Sequence, residues 1–173
     1  MSANWALRLS SRLNRSRMVS RALLERLERN FWSSNTSEAR EFHPKWRADS
    51  GALVFDRTTS TGTIIAEIEL ARKQERILLS AEAEERVNAP SYAPDGKSIL
   101  VSRSRGSKNG LWRISLNGHS ESHILRTDPN QSAGGAVYSP DGARIALHIA
   151  TGGNYSLYVM NADGTNLEPI VNN

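Results

Sequence analysis

The chain contains no cysteine among its 173 residues, so it has no means to build a disulfide framework or a thiolate metal site. Long apolar runs are missing too; none approaches the ~18 residues that a membrane-spanning helix needs. The opening MSANWALRLSSRLNRSRM lacks the apolar core of a secretory signal, and from this a cytoplasmic chain is expected. That opening is rich in Arg and Ser with no acid before Glu25, the composition of an organellar transit peptide or of a solvated basic helix. There is no G-x-S-x-G elbow, no phosphate-binding Walker loop and no paired-carboxylate motif. The four histidines, His43, His119, His123 and His148, show no metal-ligand spacing. A chain with this inventory is expected to be a non-enzyme without cofactor or metal.

Charge is spread unevenly. The net charge is +4, yet residues 1–32 hold seven arginines and two acids, a net of +5, which leaves −1 for the remainder. The basic character belongs to an N-terminal arm, and the body offers little of the basic surface a nucleic-acid binder requires. No nucleic-acid partner is therefore expected. Within the arm, Val19, Leu23, Leu24, Leu27 and Phe31 recur at helical spacing among Arg and Glu, which predicts an amphipathic helix over residues 17–32. Residues 33–40, SSNTSEAR, read as a linker.

From residue 41 onward the sequence repeats. A shift of 46 residues lays the chain on itself twice without a gap. Trp46, Tyr92 and Tyr138 coincide, as do Asp49, Asp95 and Asp141. Apolar triplets follow in each copy: Leu53-Val54-Phe55, Ile99-Leu100-Val101 and Ile145-Ala146-Leu147. The units are 41–86, 87–132 and 133–173. Each reads as a β meander. Pro94-Asp95-Gly96 and Pro140-Asp141-Gly142 are reverse turns: proline presets φ, aspartate accepts a local backbone bond, and glycine supplies a positive φ. In the first unit Ala48-Asp49-Ser50-Gly51 stands in that place, and a looser turn is expected. Apolar strands and further Gly-rich turns complete four strands per unit. A four-stranded unit of this size cannot bury both of its faces alone, and stacking the units around an axis solves that problem. Repeats of similar length also build helical arrays, but the Pro-Asp-Gly turns and β-branched strands argue against helices.

The pattern P-x-[WY]-x-P-D-G, an apolar triplet, then I/L-[YW]-x-[IM]-x-x-x-G resembles the TolB-like propeller repeat, a relative of the WD repeat. It is carried by Pro90, Tyr92, Pro94-Asp95-Gly96, Leu111-Trp112 and Gly118, and again by Tyr138, Pro140-Asp141-Gly142, Leu157-Tyr158-Val159-Met160 and Asp163-Gly164. The resemblance implies an all-β fold of four-stranded antiparallel blades, six to a ring, and a periplasmic home. It implies either a scaffold that binds protein or peptide partners, or the propeller portion of a prolyl-oligopeptidase-type peptidase without its hydrolase domain. Three units are half of such a ring and would leave a sheet face uncovered at each end. The chain is then part of a larger propeller, or two copies close one ring as a homodimer.

One loop stands apart. Arg103, Arg105 and Lys108 cluster in the central hairpin of the second unit, while the equivalent loops at 58–62 and 150–154 are uncharged. Such a difference between otherwise equal loops marks a candidate partner-binding site, or simply a solvated loop. Asp95 and Asp141 recur at turns and are expected to shape them, not to form an acid pair.

Overall fold

The computed structural model describes residues 39–117 and 120–171. The helix expected over residues 17–32 and most of its linker lie outside them.

The described residues form three sheets, each of four antiparallel strands joined in chain order. The first sheet holds β1 (Arg40–Trp46), β2 (Ala52–Thr59), β3 (Gly62–Glu69) and β4 (Gln74–Ser80). The second holds β5 (Arg86–Tyr92), β6 (Ser98–Ser104), β7 (Gly110–Ser115) and β8 (Glu121–Arg126). The third holds β9 (Gln131–Tyr138), β10 (Arg144–Thr151), β11 (Asn154–Asn161) and β12 (Glu168–Val171). The second strands begin at Ala52, Ser98 and Arg144, so the sequence repeat is also the structural repeat.

Alternation explains the strands. Along β10, Ile145, Leu147 and Ile149 are buried while Ala146, His148 and Ala150 are only partly covered, the period of two of a pleated strand. The buried rows face neighbouring sheets. Val54 and Ile65 of the first sheet pack on Val87, Tyr92, Ile99 and Val101 of the second. Leu100 and Leu111 of the second pack on Ile145, Leu147 and Met160 of the third. Each fully buried Leu or Ile contributes about 1.5–3 kcal/mol by leaving water. The first strand of each following sheet makes most of the junction: β5 lies against β1, β2 and β3, and β9 against β5, β6 and β7.

Two irregularities also repeat. In each first strand the register slips once, where His43, Ala89 and Gly135 take φ of 50°, 50° and 59°. These residues are equivalent, so each blade carries a bulge at the same place, which bends the strand and sharpens its twist. The third and fourth strands slip likewise, beside Ile65, Leu111 and Leu157. In the first sheet Asp56 supports the bulges. Its Oδ1 lies 2.7 Å from Nδ1 of His43 and accepts a 3.1 Å bond from the Ala89 amide of the next sheet.

The turn of the first unit is not looser than the others. Its amides bond as theirs do, Ser50 N to Arg47 O at 2.9 Å and Gly51 N to Asp49 Oδ1 at 2.8 Å, and Ser50 takes the left-handed conformation (φ 59°) that Gly96 and Gly142 supply elsewhere.

Candidate interaction surfaces

The antiparallel strands put their connections at two opposite ends of the sheets. One end carries the Asp turns. There Gly96 N donates to Ala93 O at 2.9 Å and Gly142 N to Ser139 O at 2.8 Å. Asp95 Oδ1 accepts from Lys97 N at 2.9 Å, and Asp141 Oδ1 accepts from Ala143 N at 3.0 Å and from the Ser139 hydroxyl. Pro94 and Pro140 are exposed at the same end. The Ser139 hydroxyl and the Ala143 amide hold the Asp141 carboxyl below its usual range, as Arg47 and the Gly51 amide do for Asp49. All these groups bond within their own turn.

Arg103, Arg105 and Lys108 lie at the opposite end, where the structure separates them by burial. Arg103 closes β6 and is buried. Its Nε donates to Glu85 at 2.5 Å, its Nη1 donates to Glu121 at 2.5 Å, and its guanidinium lies 5.0 Å from the centre of the Trp112 ring. The Glu85 side chain is fully buried. Burial alone would raise its carboxyl, but Arg103 and the bond with the Glu82 amide hold it below the ordinary value. Arg57 of the first sheet pairs with Glu75 in the same way, at positions equivalent to Arg103 and Glu121. Arg103 thus ties the connection before β5 to β6, β7 and β8 of its own sheet. Arg105 and Lys108 flank the 3-10 turn Gly106–Lys108 at the surface and both face Glu82, at 3.3 and 2.6 Å. Glu82 comes from the connection between β4 and β5, so the cluster joins the inter-blade connection to the β6–β7 hairpin of the second blade. Sequence reasoning missed Glu82 and Glu85; the acidic run AEAEE at 81–85, directly before the second unit, was the available signal.

The second candidate surface is the sheet faces themselves. Each junction has a forward half on one sheet and a backward half on the next, and both repeat in register. The forward positions are Val54, Ile65 and Glu67, then Leu100, Leu111 and Arg113, then Ala146, Leu157 and Val159. The backward positions are Trp46, Leu53 and Phe55, then Tyr92, Ile99 and Val101, then Tyr138, Ile145 and Leu147. At the first junction the Tyr92 hydroxyl donates to Glu67 Oε1 at 2.7 Å, and burial with that carboxylate pushes the phenol far up. At the second junction Arg113 Nε donates to the Tyr138 hydroxyl at 2.8 Å. Arg113 also bonds the Ala162 carbonyl. The outermost halves meet no further sheet among the described residues. Trp46 is 54% exposed and Leu157 43%, whereas Tyr92 is 8% exposed and Leu111 fully buried.

Among the described residues no group of three or more His, Asp or Glu could hold a metal ion, and no described helix is long and apolar enough to cross a membrane. His148 sits on the outward face of the third sheet, edge-on to Tyr155 and close over Gly134 and Gly135, where a Cβ would collide with its ring. His123 stacks on Trp112 with centroids 4.3 Å apart, and burial lowers the pKa of both imidazoles. His43 pairs with Asp56 as described, and His119 lies outside the described residues.

Three four-stranded antiparallel sheets, stacked face to face with their first strands at the junctions, are blades of a β-propeller. The fold is TolB-like. A putative TolB from Agrobacterium tumefaciens superposes with a TM-score of 0.66 at 21% identity, over 80% of this chain and 50% of that one. TolB from Acinetobacter baumannii gives 0.62 at 19% identity, over 75% and 32% of the two chains. The β-propeller domain of the trilobed protease from Pyrococcus furiosus, which has an open velcro topology, gives 0.59 at 14% identity, over 79% and 44%. The chain therefore spans between 32% and 50% of the length of these structures. No protein-family model matches the chain, and no curated protein matches it in sequence. At these identities the likeness is one of fold.

Proposed function

We propose that the chain is a non-catalytic propeller module, part of a larger propeller, that binds a protein or peptide partner through its loop end. In this reading residues 1–40 are a basic helical arm and linker, and 41–86, 87–132 and 133–173 are the blades. The observation that carries it is the charged cluster of Glu82, Arg105 and Lys108, which brings the inter-blade connection and the central hairpin of the second blade together at the surface. Arg105 and Lys108 keep their outer surfaces in water, and Glu82, 61% exposed, is their common counter-ion. A carboxylate on a partner can take the place of Glu82, so the site suits an acidic peptide. Arg103 supports it from below, by fixing the end of β6 from which the loop springs.

An array of acidic, neutral and basic peptides, probed with the whole chain at two salt concentrations, tests the proposal. Acidic peptides are expected to bind and to weaken as salt rises. The variant Arg105→Glu/Lys108→Glu is expected to lose that binding. Equal retention of all three peptide classes by both proteins would remove the proposal. A second reading, the propeller portion of a prolyl-oligopeptidase-type peptidase, is favoured by the likeness to the protease propeller of P. furiosus. A G-x-S-x-G segment followed by Asp and His in the same reading frame would support it.

A further inference from the structure

Glu82 divides its carboxylate between the two surface cations of the β6–β7 hairpin. Its Oε1 accepts from Lys108 Nζ at 2.6 Å and its Oε2 from Arg105 Nη1 at 3.3 Å. Lys108 holds the carboxyl below its usual range. The turn that presents Glu82 is built from other groups. The Glu82 amide donates to Glu85 Oε2 at 2.9 Å, the Glu85 amide donates to the Glu82 carbonyl at 3.0 Å, and Arg103 fixes the buried Glu85 side chain.

The connection between β8 and β9 repeats this turn, with Asp128 in the place of Glu82 and Gln131 in the place of Glu85. The Asp128 amide donates to Gln131 Oε1 at 3.3 Å, and the Gln131 amide donates to the Asp128 carbonyl at 2.9 Å. The hairpin of the third blade, Thr151-Gly152-Gly153-Asn154, carries no cation, and the exposed Asp128 makes no ion pair among the described residues. The same turn therefore forms without a salt bridge to the hairpin. The fold does not need the Glu82 contact, and exposed ion pairs of this kind are weak enough to open.

We infer that Glu82 is a built-in competitor for the acidic partner: it occupies Arg105 and Lys108 in the free chain and swings away when the partner binds. The inference rests on the peptide-binding reading and adds a regulatory element to that site. A tethered carboxylate competes at high effective concentration. Only chains with Glu82 released present both cations, and the apparent affinity falls by that fraction. An isolated carboxylate gains little by exchanging with Glu82, whereas an acidic segment that adds further contacts displaces it. Glu82 thus selects for partners with several acidic residues.

The test titrates a capped, fluorescently labelled hexaglutamate with the full chain and reads anisotropy at low and at physiological salt. Glu82→Gln keeps the shape of the side chain and removes its charge. It is expected to tighten binding about three- to tenfold at low salt, with a smaller gain as salt rises. Glu84→Gln removes the same charge from an exposed side chain of the same connection that pairs with neither cation. Its affinity is expected to stay within about twofold of wild type. The circular dichroism and melting midpoint of Glu82→Gln are expected to match wild type, and an unfolded variant overturns the inference. Equal gains in the two variants report a general field and overturn it as well. An unchanged affinity in Glu82→Gln, with wild type still binding, overturns the inference and leaves the peptide-binding reading in place. Binding by neither wild type nor Glu82→Gln removes both.

Discussion

Ser50 shows how one backbone position constrains the repeat. The turn needs a left-handed residue after its aspartate, and the other two blades place glycine there, whereas Ser50 adopts φ 59° with a side chain. The Cβ makes that conformation costly, so Ser50→Gly is expected to stabilise the chain by about 0.5–1 kcal/mol in urea unfolding. Arg103 illustrates the opposite case, a charge that burial has made indispensable. Arg103→Ala leaves the Glu85 carboxylate buried without its partner and is expected to cost about 3–5 kcal/mol by the same measurement. Arg105→Ala and Lys108→Ala break pairs with an exposed carboxylate, and their melting midpoints are expected to stay at the wild-type value. The sequence showed three like charges in a short segment. Only the fold separates the one that packs from the two that face solvent.

At the scale of elements, turns were the most legible feature and first strands the least. Each Pro-Asp-Gly turn forms where its residues indicate, because its hydrogen bonds are local: the Asp141 carboxylate meets groups no more than two residues away. These bonds also set an acid limit. The folded-state pKa of Asp141 is depressed, so its contribution is present above the unfolded value near 3.9 and is lost as pH falls through the folded one. Asp141→Asn is expected to lower stability at neutral pH and to converge with the wild-type profile in acid, below about pH 4, as read by urea unfolding across pH. In the second and third units the short segments Ser91-Tyr92-Ala93 and Ala136-Val137-Tyr138-Ser139 alone show strand character before the Asp turns, yet β5 and β9 start five residues earlier, at Arg86 and Gln131. The bulges at Ala89 and Gly135 shift the alternation there and hide the upstream half of each strand. Nothing in the sequence marks Ala89 or His43 as left-handed residues, since the support comes from Asp56, an aspartate in β2.

For the molecule as a whole, stability resides in junctions between blades. Leu111 and Leu157 are equivalent, yet the first is fully buried and the second 43% exposed. Leu111→Ala is expected to cost about 2–5 kcal/mol. Leu157→Ala is expected to stay within about 0.5 kcal/mol, a difference read directly by denaturant unfolding. Sequence by itself determined the period, the turns and the four-strand plan, because each follows from short-range rules: local hydrogen bonds, proline and glycine dihedrals, and side chains alternating across a pleat. Tertiary structure alone decided which charges are buried, how the bulges are held and which apolar rows stay open. Those depend on groups brought together from neighbouring sheets, such as Glu67 under Tyr92 and Arg113 under Tyr138, whose pairing no single blade can specify.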